Sequence, residues 1–151
     1  MSAKWLAGVV SIVVLAAVVV AFVTVGGPYR QRQLRFDQQR VTDLQNIQSQ
    51  IVRFWQQKNQ LPANLTDLTD SISGFKAPMD PETKVSYEYI VQTDLNFQLC
   101  ANFKLPSNSN TSLQPAIYPY YNWDHSAGHV CFDRNIDPQL YRIPPVVPFM
   151  K

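Results

Sequence analysis

The sequence predicts an α+β fold: an N-terminal transmembrane helix, then a long amphipathic helix packed on a small antiparallel sheet of about three strands. Three observations predict it. Residues 5–25 contain no charged side chain. The segment that follows repeats apolar side chains every three or four positions, the spacing of a helix with one buried face. Beyond residue 84 apolar and polar residues alternate, the period of a half-buried strand. The chain of 151 residues divides into a membrane anchor (1–27), a globular α+β domain (28–143) and a proline-rich tail (144–151).

Within residues 5–25 the only polar side chains are Ser11 and Thr24. Helical residues 5–25 cover roughly 32 Å at 1.5 Å per residue, close to the hydrocarbon thickness of a bilayer. Lys4 and Trp5 stand where a cation and an interfacial aromatic are expected, and Tyr29 takes the matching place at the far end. Arg30, Arg32 and Arg35 follow, within reach of lipid phosphates. A cleaved signal peptide is the rival reading, but its apolar core is normally about 7–15 residues long. Pro28 is also a poor neighbour for a peptidase cut, so the anchor is expected to be retained.

Gly26-Gly27-Pro28 ends the span and opens a second helix over residues 29–58. Leu34, Val41, Leu44, Ile47, Ile51, Phe54 and Trp55 form its apolar stripe, with arginines and glutamines opposite. Leu61-Pro62 stops it, and Asn64 is a candidate cap for a short turn through Leu65 and Leu68. Asp80-Pro81-Glu82-Thr83 reads as a turn. Residues 85–92 and 97–103 read as a hairpin, and residues 129–133 as a third strand beside it. Between them lies a polar, proline-punctuated loop that ends in an aromatic cluster, Tyr118, Tyr120, Tyr121 and Trp123. Core packing explains the cluster most simply; an exposed part of it is a candidate protein-binding surface.

The net charge is +2, from 13 basic and 11 acidic residues, and the basic residues make no long stripe. A nucleic-acid partner is excluded on that ground. Two cysteines, Cys100 and Cys131, fall in separate predicted strands. Their simplest reading is a disulfide, which requires an oxidising exterior and contributes about 3–4 kcal/mol by loop closure. Two buried free thiols are the alternative. Cys100 alternates with Leu99, so a bridge from it is expected to run outside the main core or to a neighbouring edge. Arg30, Arg32, Arg35 and Arg40 after the span, against Lys4 alone before it, argue the other way, towards a cytoplasmic domain by the positive-inside rule. The cysteines are given the greater weight, and the domain is expected to be extracytoplasmic.

The order of elements resembles the pilin and pseudopilin superfamily, in Leu61-Pro62 after the helix, Asp80-Pro81 in the loop and Tyr87-Glu88-Tyr89 in the first strand. A closer resemblance is to uncharacterised bacterial membrane proteins of the candidate-phyla type, which carry a soluble C-terminal domain. It rests on Arg40-Val41-Thr42-Asp43-Leu44, Ile72-Ser73-Gly74-Phe75, Asp80-Pro81-Glu82-Thr83, Leu99-Cys100-Ala101, Trp123-Asp124-His125 and Gly128-His129-Val130-Cys131-Phe132. This resemblance implies a membrane location and no particular activity. The chain departs from true pilins by lacking their processing site and assembly glutamate, and by breaking its helix at Gly26-Gly27-Pro28. The anchor accordingly reads as a tether.

Chemistry-bearing residues are few. His125 and His129, with Asp124, Cys131 and Cys100, are the candidate zinc ligands, and the same histidines are candidate bases for a cysteine nucleophile. The packing alternative places Trp123 against the sheet, with His125 bonded to a loop carbonyl. Asp80, Glu82 and Asp94 are candidate calcium ligands, with an ordinary turn as the alternative. No nucleotide motif or paired-carboxylate signature is present. The expected function is non-enzymatic and without a cofactor: an envelope-anchored domain, a scaffold or accessory subunit, whose partners are the lipid bilayer and another protein. Two alternatives stand beside it, a metal- or thiol-dependent catalytic domain using His125, His129 and Cys131, and a minor pseudopilin of a secretion or DNA-uptake system.

Overall fold

A computed structural model describes residues 3–25, 27–107 and 122–141. Helix α1 runs Ala3–Val25 and helix α2 Pro28–Lys58, followed by a 3-10 turn, Leu65–Leu68. Strands β1 (Glu88–Val91), β2 (Asn96–Phe103) and β3 (Gly128–Asn135) complete the order. The chain divides into two compact units, Met1–Arg35 and Phe36–Lys151, with α2 contributing to both. The tail (144–151) and the tyrosines of the aromatic cluster lie outside the described residues.

The predicted anchor is a helix, and its described side chains are exposed. Among the described residues no helix is long and apolar enough to cross a membrane. The helix expected at the N-terminus is present at these positions. The break at Gly26-Gly27-Pro28 is found where it was expected, with α2 starting on Pro28, whose missing N–H is no loss in a first turn.

Helix α2 ends one residue before Asn59, which takes a left-handed φ of 54° and donates its N–H to the Trp55 carbonyl at 2.7 Å. Asn64 caps the 3-10 turn as predicted, accepting from Thr66 and Asp67 while the Asp67 carboxylate accepts from the Asn64 N–H.

The three strands form an antiparallel sheet in the order β1-β2-β3, so the central strand is β2. Its inward residues Phe97, Leu99, Ala101 and Phe103 are buried with Phe132 of β3. They join Leu44, Ile47, Ile51 and Trp55 of α2 in one core, completed by Leu65, Leu68, Tyr87 and Ile136. The stripe expected on α2 is borne out there, with Val41 and Phe54 partly buried at its margins. β3 runs from Gly128 to Asn135, longer than the predicted 129–133, and begins at a φ of 106° that favours glycine.

Arg40 overturns one reading. Sequence placed it on the polar side with the other arginines; it is 1% exposed. Its Nε and Nη2 grip the two Asp80 oxygens at 2.6 and 3.2 Å. Nη1 donates to Asp37 at 2.7 Å and Nη2 to Glu82 at 2.9 Å. Asp37 also accepts the backbone N–H groups of Lys104 and Leu105, at 3.0 and 2.9 Å. Asp80 in turn accepts from the N–H groups of Glu82 and Thr83. Beside this cluster the Tyr87 hydroxyl donates to buried Asp43 at 2.7 Å. Burial and that carboxylate together raise the Tyr87 pKa.

Burial alone pushes the Asp80 carboxyl up, but Arg40 and the two backbone donors outweigh it and hold it down at about 2. Because the folded pKa lies below the ordinary 3.8, this contribution to stability is complete above that value. It is lost as pH falls from there through about 2. Arg40→Met strands buried carboxylates and is expected to cost about 3–5 kcal/mol in urea unfolding followed by tryptophan fluorescence. Asp80→Asn is expected to flatten the loss of stability over the same acid range, measured in a pH series.

Candidate functional site

Because side chains alternate along a strand, the face of the sheet turned away from α2 carries a second set of residues. Glu88, Cys100 and Cys131 are direct register partners, one on each strand. Cys100 and Cys131 form a disulfide, with their Cα atoms 4.0 Å apart. The expected bridge is therefore present, on the face opposite Leu99 and directed to the neighbouring strand, as alternation required. No free cysteine occurs among the described residues.

His129 lies opposite Asn102, one diagonal step from the bridge. Its Nε2 meets the Glu88 carboxylate at 2.9 Å, and its Nδ1 lies 4.0 Å from the Cys131 sulfur. The contact reaches from β3 to β1, across the strand that carries Cys100. Cys100 is 1% exposed, whereas Cys131, His129 and Glu88 are exposed. Cys131 is thus the more exposed residue of the bridge and Cys100 the sheltered one. A groove of about 300 Å³ adjoins this group, lined by Arg40, Asp80, Glu88, Cys100, Asn102 and His129 among others.

The candidate zinc set is brought together only in part. Cys100, His129 and Cys131 offer ligand atoms within 4.8 Å of one another. His125 belongs elsewhere. Its ring stacks on Phe103 with centroids 3.6 Å apart, and its Nδ1 lies 3.0 Å from the Trp123 carbonyl. Trp123 packs on Phe132, so the packing alternative describes Trp123 and His125 correctly. Arg134 completes that corner. It sits over the Trp123 ring at 4.0 Å and donates to Gln48 and to the Asn122 carbonyl. Burial lowers its pKa to about 10.

Two of the three calcium candidates are committed to other partners. Asp80 and Glu82 bind Arg40, and Glu82 also lies 3.6 Å from the Lys104 ammonium. Asp94 is exposed in the β1–β2 connection. At the N-terminal end Trp5 and Tyr29 are 73% and 75% exposed, and Arg30, Arg32 and Arg35 are exposed as well. The Lys4 side chain lies outside the described residues.

Sequence reasoning missed Glu88 as the partner of His129, and the reason is geometric. They are 41 positions apart and meet only because both flank β2. It also missed Arg40 and Asp37, although a signal was available. Counting back from Ile51 through Ile47 and Leu44 in steps of four and three leads to Arg40 and Asp37, so both lie in register with the buried stripe. No family model matches the chain, and no match is found among curated proteins or solved structures.

Two comparisons separate the roles of these groups. Cys100→Ser with Cys131→Ser is expected to lower stability by about 3–4 kcal/mol in denaturant titration. His129→Ala is expected to change it by less than about 0.5 kcal/mol, because an exposed ion pair contributes little.

Proposed function

We propose that this chain is a membrane-tethered domain of a bacterial cell envelope, non-enzymatic in its primary role and acting through protein contacts as a scaffold or accessory subunit. The Cys100–Cys131 disulfide carries the reading, since such bonds persist in oxidising compartments. It supports an extracytoplasmic position for the globular unit. The ion cluster weakens the opposing argument: Arg40 is taken up by Asp37, Asp80 and Glu82, which leaves Arg30, Arg32 and Arg35 to set against Lys4.

The tether is supported by the uncharged sequence of residues 5–25, all of it within α1. Extended over that whole length, the helix reaches roughly 32 Å. Exposed Trp5 and Tyr29 stand at its two ends as interfacial anchors. A contact function is supported by the way the chain uses its chemistry-bearing side chains. Arg40, Asp37, Asp80, Arg134 and His125 are all held by internal partners. The open face of the sheet, with Ile90, Gln98 and Asp133, is left as the contact surface.

Intact cells expressing the chain are expected to show no labelling by a membrane-impermeant maleimide until an impermeant reductant is added, and strong labelling at Cys131 afterwards. Labelling that requires cell lysis places the domain in the cytoplasm and overturns the assignment. Alkaline extraction is expected to leave the chain in the membrane pellet.

A further inference from the structure

The disulfide face holds more than a structural bridge. Cys100, Cys131 and His129 present two sulfurs and an imidazole nitrogen within 4.8 Å of one another. The distal nitrogen of that imidazole is held by Glu88 at 2.9 Å. An ionised carboxylate only accepts hydrogen bonds, so Nε2 carries the hydrogen in this contact. In the neutral ring the lone pair then falls on Nδ1, the atom 4.0 Å from the Cys131 sulfur. A carboxylate on the far nitrogen of a histidine is the arrangement that orients metal-ligating imidazoles and raises their basicity.

We propose that reduction of the Cys100–Cys131 bridge converts this face into a binding site for a thiolate-preferring transition-metal ion, zinc foremost. The ligands are both sulfurs and His129 Nδ1; Glu88 holds the ring, and the fourth position opens to the groove. In a tetrahedral zinc site two sulfurs lie about 3.8 Å apart, and sulfur and nitrogen about 3.6 Å. The observed 4.0 Å between His129 and Cys131 needs little adjustment. Cleavage of the bridge frees the two sulfurs to part to the required separation. The groove of about 300 Å³ supplies the entry path.

The redox step is a two-electron exchange with a dithiol. One thiolate of the reductant attacks the exposed Cys131 sulfur, forms a mixed disulfide and expels Cys100 as a thiolate. The second reductant thiol then attacks the mixed disulfide, closes the reductant's own disulfide and releases Cys131. The dithiol is oxidised, the bridge is reduced, and the two protons pass to the new thiols. Metal binding subsequently displaces those protons to solvent. The inference goes beyond the proposed tether and does not rest on it, because the site lies wholly within the sheet.

The test uses the full chain in detergent, reduced anaerobically with a phosphine, freed of metal and titrated with cobalt(II) alone. One equivalent is expected to bind, with the visible bands of tetrahedral cobalt and thiolate-to-metal charge transfer, and none to bind the oxidised chain. His129→Ala is expected to weaken binding by at least about tenfold and Glu88→Gln by about 10–100-fold. Both residues are exposed, so both variants retain the fold. Should the reduced chain lose structure, cobalt is expected to restore its circular dichroism and raise its melting temperature, with no such effect on Cys100→Ser/Cys131→Ser. Absence of tetrahedral cobalt together with absence of that rescue overturns the proposal, as does unchanged affinity in His129→Ala.

Discussion

The globular unit depends on the buried guanidinium of Arg40. Arg40 is 1% exposed and is surrounded by Asp37, Asp80 and Glu82. A buried charge is tolerated only when it is paired and its donors are satisfied, and Arg40 meets both conditions with Nε, Nη1 and Nη2 all engaged. Lysine has the charge but not the planar fork that takes both oxygens of one carboxylate while reaching two others. The consequence is positional. Asp37 ties α2 to the backbone just beyond β2, and Asp80 and Glu82 tie the turn before β1 to the same helix. Helix, turn and sheet end are thereby held in register at one point, and the apolar core closes around Leu44, Ile47 and Ile51 beyond it.

That register has a chemical consequence on the other side of the sheet. With β2 locked by core residues Phe97, Leu99, Ala101 and Phe103, the alternate positions must face outward. Cys100 and Cys131 are opposed for this reason, and Glu88 joins them in the same row. A slip of one residue in either pairing would move a cysteine to the core face and abolish the bridge. The core thus specifies the disulfide, and the disulfide in turn resists such a slip. Packing and chemistry are separated by a single strand's thickness.

Exposure then divides the roles of the two sulfurs. Cys131 meets solvent next to His129, while Cys100 is sheltered where the His129–Glu88 contact crosses its strand. His125, similar by residue type, has no share in this, since its ring stacks on Phe103 on the packed side. Two histidines four residues apart thus take opposite roles, because one lies before β3 and the other on its outward face.

Much was determined by the sequence alone. The two helices and their break, the capped 3-10 turn and the three strands all follow from local patterns: hydrophobic period, proline and glycine placement, and a capping asparagine. The pairing of Cys100 with Cys131 followed from there being two cysteines in two strands. What only tertiary structure decided are the contacts between distant segments. Arg40 was read as a surface arginine because a charged side chain on a helix is normally solvated, and its burial depends on Asp80 and Glu82, forty and more positions away, as well as on Asp37. Glu88 carried no signal at all until β2 placed it within reach of His129. Local propensity is written in neighbouring residues, whereas a buried charge or an assembled ligand set depends on partners that the chain brings together only by folding.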